Sequence, residues 1–186
     1  MRLPEVDLDA LTNDQQTLYN ALSTRPEVQR SGLVGPFAVW MHAPQMGAAM
    51  EQLGQAVRFD ASLPANVTEV AICTVGAFYR SPFEFAAHKV MAVNAGVAAS
   101  KLDRLAAGRD PGFEGDEATA HVAATELLAD HRLSEQTSAD IDERFGPTGA
   151  VELVTTIGYY VLVSLTLNGF DVPLADGMAD PFDRSR

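Results

Sequence analysis

Apolar residues recur at helical spacing along most of the chain. The clearest stripe lies just before residue 80 and consists of Val67, Val70, Ala71, Val75 and Phe78. Residues three and four apart share one face of an α-helix, so this spacing predicts a helix with a buried side. Sustained alternation of apolar and polar residues, which indicates a half-buried strand, occurs in no segment. The pattern therefore predicts an all-α protein.

Prolines, glycines and capping residues divide this pattern into about eight predicted helices. The first follows a cap at Thr12-Asn13-Asp14. The third follows Leu63-Pro64 and ends at Arg80-Ser81-Pro82, because proline disfavours helical geometry at the residue before it. The other predicted helices cover residues 44–58, 82–95, 99–107, 115–130, 135–145 and 148–169. The segments predicted to be irregular are residues 1–11, residues 26–36 and the C-terminal tail.

One predicted helix is apolar on nearly all sides. Residues 151–170, VELVTTIGYYVLVSLTLNGF, are about as long as a membrane span. Glu152 and Asn168 lie near its ends, however, and no Lys or Arg flanks it closely, so the basic flank that orients a span is missing. We therefore expect this helix to be buried twice, in the core and in a subunit interface of a homo-oligomer. Nothing along the chain marks a domain boundary, so residues 1–186 are predicted to form one domain.

The composition is that of a soluble globular protein with an acidic surface. Apolar residues make up 47% and charged residues 20% of the 186 positions, which is enough for one core. Thirteen Lys and Arg stand against twenty-five Asp and Glu, a net charge of −12, and basic residues form no cluster. Nucleic acid and anionic membranes require a concentrated basic surface, so neither is an expected partner. The N-terminus lacks the apolar stretch of a signal peptide, which predicts a cytoplasmic protein.

Three polar residues at helical spacing form the first candidate site. Ser81, Glu84 and His88 lie three and four residues apart, so a helix from Pro82 places a hydroxyl, a carboxylate and an imidazole on one face. Ser81 and Glu84 also match a capping box, with Ser at the N-cap and Glu at N3. The two interpretations are compatible, because a carboxylate four residues before a histidine can orient the imidazole and raise its pKa.

Glu69 and His42 each allow two interpretations. Glu69 either stabilises a helix N-terminus on a solvated face or is a buried partner of His88 across two packed helices. His42 lies in an apolar stretch beside Trp40 and belongs either to a packed loop or to a pocket wall. His121 and His131 lie among acidic residues, which favours a solvated helix face.

The sequence gives little support for a metal site, a nucleotide site or thiol chemistry. The chain has no His-x-x-x-His, His-Glu-x-x-His, Gly-x-Gly-x-x-Gly or P-loop motif. Its single cysteine, Cys73, lies inside an apolar helix and is expected to be an inert core thiol. We therefore expect neither a metal nor a cofactor.

The chain resembles the carboxymuconolactone decarboxylase family, which includes AhpD-like alkylhydroperoxidases. The resemblance is carried by LPANVTEVAICTVGAFYRSPFEFAAHKVMAVNAGV at residues 63–97, with supporting segments at 35–46, 106–120 and 151–173. It covers about residues 33–173. The resemblance implies an AhpD-like all-α helical bundle that assembles into obligate oligomers, often trimers or hexamers.

The resemblance also assigns the candidate residues. Glu69 and His88 match the Glu and His of the AhpD-like pattern, while Ser81 and Glu84 stand where that pattern has its two cysteines. Thiol peroxidase chemistry needs a nucleophilic and a resolving thiol, so the peroxidase role is not expected here. Relatives commonly carry an Arg just before the Glu, but Thr68 stands there, so Arg58 or Arg80 would have to bind a substrate carboxylate.

The first hypothesis is therefore a cofactor-independent lyase or isomerase acting on a small cyclic or unsaturated acid or lactone. His88 would donate or accept the proton, Glu84 and Glu69 would orient it, and Ser81 would donate a hydrogen bond. The residues expected to line the pocket are His42, Trp40 and Tyr159. The alternatives are a non-catalytic oligomeric binding or scaffold protein of the same fold, and a thiol peroxidase that uses Cys73.

Overall fold

The protein is all-α, as the apolar pattern predicts. The computed structural model describes residues 1–182, and these contain nine α-helices and one π-helical turn at Ala56–Asp60. The helices are α1 Asn13–Leu22, α2 Pro26–Ser31, α3 Pro36–Trp40, α4 Pro44–Gln55, α5 Ala65–Phe78, α6 Pro82–Asn94, α7 Ala99–Ala106, α8 Gly115–Ala129 and α9 Glu135–Gly169.

Most of the predicted helix ends are confirmed. Thr12 caps α1 and forms a reciprocal capping box with Gln15, and Gly96 follows the end of α6 with a positive φ of 96°. The two helices predicted at 135–145 and 148–169 are the two halves of α9, which break at Gly146, where φ is 64°, just before Pro147. The prediction of an irregular segment at 26–36 is correct for residues 32–35 and wrong for the rest. Proline at the first position of α2 and of α3 starts a short helix there, because its fixed φ suits the first turn.

Helix α5 lies at the centre of the core. It packs against α6, α8 and α9, and its fully buried side chains include Val67, Val70, Ile72 and Val75. The eight consecutive residues from Glu69 to Gly76 are all buried, so the middle of the helix has no solvated side. Because α5 is enclosed in this way, the carboxylate of Glu69 is carried into the core with the apolar residues.

The second half of α9 has one face in the core and one face outside it. Leu153, Ile157 and Val163 are buried against the rest of the protein, whereas Val151 and Leu165 are 68% and 52% exposed. Within residues 1–182, α9 is the one helix long and apolar enough to cross a membrane by length and composition. A core helix passes the same test, and α9 packs along α5 and α8.

The C-terminal segment after α9 is irregular, as predicted, and folds back over α6. Phe182 is 3% exposed and packs on Phe85, with ring centroids 5.3 Å apart. The guanidinium of Arg80 lies 5.2 Å from the centre of the Phe182 ring. These contacts hold the segment against the bundle, where Ala175 and Met178 reach the cavity described below.

Candidate functional site

His88 lies between two carboxylates. Its Nδ1 atom is 2.6 Å from Oε2 of Glu69, which belongs to α5, and its Nε2 atom is 3.1 Å from Oε1 of Glu84, one turn earlier on α6. All three residues are buried, with exposed fractions of 3% to 8%. The structure therefore pairs His88 with Glu69 across two packed helices, which is the second of the two arrangements considered for Glu69.

A tight connection between α5 and α6 makes this pairing possible. The chain reverses direction between Phe78 and Pro82, with Arg80 at a φ of 46°. Gly76 then lets the helices approach closely, because a Cβ at that position would lie only 3.3 Å from the backbone nitrogen of Phe85. At this separation a glutamate on α5 reaches an imidazole on α6.

The two carboxylates keep His88 protonated. Burial by itself lowers the pKa of an imidazole, but the negative charges of Glu69 and Glu84 and the hydrogen bond to Glu69 outweigh it and raise the pKa of His88 to about 9. His88 is therefore an imidazolium at neutral pH, and its Nδ1–H donates to Glu69. Such a group can give up a proton to a bound molecule and recover it from solvent.

The contact between His88 and Glu84 is less well directed than the contact with Glu69. The distance from Nε2 to Oε1 is that of an ion pair, yet Oε1 of Glu84 makes no hydrogen bond of good geometry. A hydrogen bond weakens steeply when the N–H does not point at the acceptor, so a short distance alone does not make this contact one. The Nε2–H is consequently the less constrained of the two imidazolium donors.

The predicted capping box at Ser81 is not formed. Ser81 occupies the N-cap position of α6, but its hydroxyl makes no hydrogen bond within residues 1–182 and is fully buried. Its backbone N–H donates to the carbonyl oxygen of Gly76, at 2.9 Å, and so is not available to Glu84. The close approach of α5 and α6 has replaced the local capping interaction, which leaves Glu84 to pair with His88.

A cavity of about 330 Å³ lies beside His88 and Glu84. Its walls are mainly apolar and aromatic, and they include Trp40 and Tyr159, which the sequence placed in a pocket. Glu69 and Ser81 do not contribute to the lining. Glu69 thus contacts His88 from behind, and of the four polar residues Glu69, Ser81, Glu84 and His88 only Glu84 and His88 line the cavity.

His42 lies elsewhere. It is exposed, and its Nε2 atom is 3.1 Å from the carbonyl oxygen of Pro4 in the N-terminal arm. It does not line the cavity of His88. Of the two interpretations considered for His42, the structure shows a loop contact, because α3 ends at Trp40 and the chain turns outward before α4.

Arg58 provides a positive charge at the cavity. Its guanidinium lines the wall, with Nη1 3.5 Å from Oε1 of Glu27 and Nη2 donating to the sulfur of Met91 at 3.2 Å. A guanidinium carries five N–H donors, and a thioether sulfur is a weak acceptor, so donors remain for an anionic ligand. Arg80, the other arginine considered from the sequence, does not line this cavity and lies over Phe182 instead.

A buried ion pair in the same wall was not predicted. Arg25 forms a bidentate salt bridge with Glu51, at 2.9 and 3.1 Å, and both side chains are less than a tenth exposed. The available signal was a carboxylate at position 51 within the apolar stretch of α4. Arg25 lines the cavity beside Gly54 and Tyr159, whereas Glu51 does not line it.

Two other candidates lie outside the cavity. Cys73 is fully buried, and burial followed by the charges of Glu69 and Glu84 raises the pKa of its thiol well above the usual value. His121 is half-buried, although the sequence favoured a solvated helix face for it. Its Nδ1 atom lies 3.0 Å from the hydroxyl of Thr74. Burial lowers the pKa of His121. Residues 1–182 contain no group of three or more His, Cys, Asp and Glu arranged to hold a metal ion.

Comparison with known proteins identifies the fold. No family model matches the sequence, and no curated protein matches it either. Among solved structures, the chain is similar to an uncharacterized peroxidase-related protein from Ralstonia eutropha JMP134, which is described as an alkylhydroperoxidase AhpD core. The TM-score is 0.76 and the sequence identity 17%, and the match covers 94% of this chain and 92% of that one. The chain therefore has the AhpD-like fold.

Two further structures are similar at lower identity. A peroxidase-related protein from Silicibacter sp. TM1040 has a TM-score of 0.67 and 10% identity, over 93% of this chain and 90% of that one. A cysteine-to-alanine variant of the debrominase Bmp8, in complex with 2,3,4-tribromopyrrole, has a TM-score of 0.67 and 11% identity, over 95% of this chain and 91% of that one. Proteins with different activities thus share the fold, and the site must indicate the activity of this chain.

Proposed function

We propose that this protein is a cofactor-independent lyase or isomerase that moves a proton on a small cyclic or unsaturated acid or lactone. The observation that carries the proposal is the position of His88. The imidazole is held between Glu69 and Glu84 in the wall of a cavity of about 330 Å³. A charged donor, fixed in direction and facing a mainly apolar cavity, has the properties of a general acid.

The cavity suits a small unsaturated ring with one negative charge. Trp40, Phe37 and Phe83 supply flat apolar surfaces, and Arg58 supplies N–H donors for a carboxylate or a lactone oxygen. Of the other arginines in the wall, Arg25 is paired with Glu51, and Arg30 is exposed to solvent. Arg58 is therefore the proposed anchor for the acidic group, in the role that the sequence left open between Arg58 and Arg80.

The proposed reaction is a loss of carbon dioxide followed by protonation. The bond between the substrate carbon and its carboxylate breaks, carbon dioxide leaves, and the electron pair remains as an extended enolate. His88 then donates its Nε2 proton to the far carbon of that enolate, and the neutral imidazole regains a proton from solvent. An isomerisation would use the same groups, with a carbon-bound proton removed by His88 in its neutral form and returned at another carbon.

Glu69 and Glu84 support His88, and Glu69 does so without touching the substrate. Glu69 accepts from Nδ1 and fixes the plane of the imidazole from the side opposite the cavity. Glu84 adds a second negative charge and lines the wall. Ser81 does not line the cavity, so we assign it no contact with the substrate.

Thiol chemistry is a weaker candidate, although structures of the same fold include peroxidase-related proteins and a debrominase. The one cysteine of the chain is Cys73, which is fully buried, lies outside the cavity wall and has a raised pKa. A nucleophilic thiol needs access and a lowered pKa. Peroxide consumption that disappears in Cys73→Ser would revive this candidate.

A non-catalytic binding or scaffold protein is the other alternative. That hypothesis expects His88, Glu84 and their neighbours to be packed closely with no space beside them. The cavity next to His88 and Glu84 argues against it. We keep the catalytic proposal for this reason.

We also propose that the protein is a homo-oligomer, such as a trimer or hexamer. The outer face of the second half of α9 carries Val151, Val154, Leu162 and Leu165, all exposed in the single chain. Apolar surface on one continuous helix face is stabilised by contact with a partner, and a second copy presents the same face.

The direct test is a screen of the purified protein with lactone acids and unsaturated ring acids. Carbon dioxide release is measured for decarboxylation, and deuterium uptake from heavy water is measured for isomerisation. His88→Gln is expected to lose at least a hundredfold in turnover, whereas His121→Gln, a histidine outside the cavity, retains it. Turnover that survives in His88→Gln would overturn the proposal.

A further inference from the structure

Two consecutive tyrosines on α9 line the cavity, and their hydroxyls have no hydrogen-bond partner among residues 1–182. Tyr159 and Tyr160 both line the wall, with ring centroids 5.2 Å apart and planes nearly perpendicular. Neither hydroxyl forms a hydrogen bond within residues 1–182, and neither is among the buried polar atoms that lack a partner there. Each hydroxyl oxygen therefore keeps some accessible surface, although both residues are buried.

The surroundings of the two tyrosines differ. The Tyr160 ring packs edge-on against the imidazole of His88, with centroids 4.9 Å apart, and Tyr160 is 3% exposed. The hydroxyl of Tyr159 lies against Gly54 and close to Arg25, and both of these residues line the cavity. Tyr160 thus supports the imidazole, while the Tyr159 hydroxyl is directed to another part of the wall.

Gly54 provides the space that the Tyr159 hydroxyl occupies. A Cβ at position 54 would overlap the hydroxyl oxygen and lie 3.0 Å from the ring carbon Cζ that carries it. Arg25 Nη2 would lie 3.5 Å from the same Cβ, so the phenol and the guanidinium meet at this point. A glycine in the interior of a helix costs about 1 kcal/mol relative to alanine, and here it gives the hydroxyl a defined place.

We propose that the Tyr159 hydroxyl donates a hydrogen bond to a substrate oxygen that becomes negative during the reaction. This inference deepens the proposed function, since proton transfer by His88 at carbon requires charge to collect on an oxygen elsewhere in the substrate. The substrate class it names is a carbonyl compound that passes through an enolate. Tyr159 would be a catalytic residue in this reaction, because its hydroxyl touches the reacting oxygen.

The chemistry of the phenol suits this role. Burial, with smaller contributions from nearby charges, raises the pKa of Tyr159 to well above its usual value, so the hydroxyl keeps its proton at any physiological pH. A neutral donor fixed in a mainly apolar wall stabilises an oxyanion more than solvent water does, because it does not have to reorient. The nearby Arg25 adds positive charge, although Glu51 neutralises much of it.

The experiment measures binding of an oxyanion and needs no turnover. 4-Nitrophenolate serves as the enolate mimic, because its absorption distinguishes it from 4-nitrophenol, and nitrobenzene serves as the mimic without the phenolic oxygen. Tyr159→Phe is expected to weaken phenolate binding about ten- to a hundredfold, the range for a hydrogen bond to a charged group, and to leave nitrobenzene binding unchanged. Tyr79→Phe, which removes a hydroxyl outside the cavity wall, is the matched control and should leave both affinities unchanged.

Two further variants make the result specific. Gly54→Ala displaces the hydroxyl while keeping the tyrosine, so it should lose phenolate binding as Tyr159→Phe does. Tyr160→Phe should lose less than Tyr159→Phe. Equal phenolate affinity in the wild type and Tyr159→Phe, a larger loss in Tyr160→Phe, or no phenolate binding by the wild type would overturn the inference. The turnover assay on His88→Gln tests the proposed function separately.

Discussion

The Nδ1 atom of His88 lies 2.6 Å from Oε2 of Glu69, although nineteen residues separate them in the chain. This contact joins α5 to α6 inside the core and sets the protonation state of the imidazole. With Glu84 on the other side, the pKa of His88 is raised from 6.5 to about 9. The same contact therefore affects both the stability of the fold and the chemistry of the site.

The first prediction concerns stability at alkaline pH. The folded-state pKa of His88 exceeds its value of 6.5 in the unfolded chain, so the stabilisation is complete below pH 6.5 and is lost as the pH rises through 9. The loss amounts to about 3 kcal/mol in the free energy of unfolding. Urea denaturation from pH 6 to 10 measures it. His88→Gln should lack this part of the pH dependence, and equal slopes for the two proteins would contradict the prediction.

The second prediction concerns recognition of the anion. Arg58→Gln removes the guanidinium donors from the cavity wall and should weaken the binding of benzoate, a flat ring acid, by about ten- to a hundredfold. Calorimetric titration measures the affinity. Arg80→Gln is the matched control, because Arg80 lies outside that wall, and it should bind benzoate as the wild type does. A similar loss in both variants would show that overall charge, not Arg58, holds the ligand.

The third prediction concerns the spacing of α5 and α6. Gly76→Ala places a Cβ 3.3 Å from the Phe85 backbone nitrogen, so the Phe85 backbone has to move away from α5 by a few tenths of an ångström. We expect a loss of about 1–3 kcal/mol in the free energy of unfolding, as for other overpacked cores. The pKa of His88 should fall at the same time, since Glu69 would move away, and NMR titration of the imidazole measures it. Gly169→Ala, where a Cβ meets no atom within 4 Å, is the control and should change neither quantity.

The fourth prediction concerns assembly. Sedimentation equilibrium at micromolar concentration should show a species larger than one chain. Val151→Glu combined with Leu165→Glu places charge on the outer face of α9 and should produce monomers. Met46→Glu is the control, because Met46 is 68% exposed on α4, away from this face. A wild-type monomer would rule out the proposed homo-oligomer.

Local patterns in the sequence were sufficient for most of the helices and for the fold class. The ends of α1, α6 and α7 depend on caps, prolines and glycines within a few residues, so short-range chemistry determines them. The short helices α2 and α3 were not predicted, because a proline can mark a loop as well as the first turn of a helix. The sequence also placed Ser81, Glu84 and His88 close together on α6.

Only the tertiary structure decided what these residues contact. The capping box predicted at Ser81 is not formed, because the Ser81 N–H donates to the carbonyl oxygen of Gly76. Glu69 is a buried partner of His88, because the middle of α5 is enclosed by the neighbouring helices. Likewise, Arg58 reaches the cavity and His42 does not, since that depends on how distant segments pack. Helix ends follow from neighbours along the chain, whereas the partners of a buried charge follow from neighbours in space, and no local pattern records them.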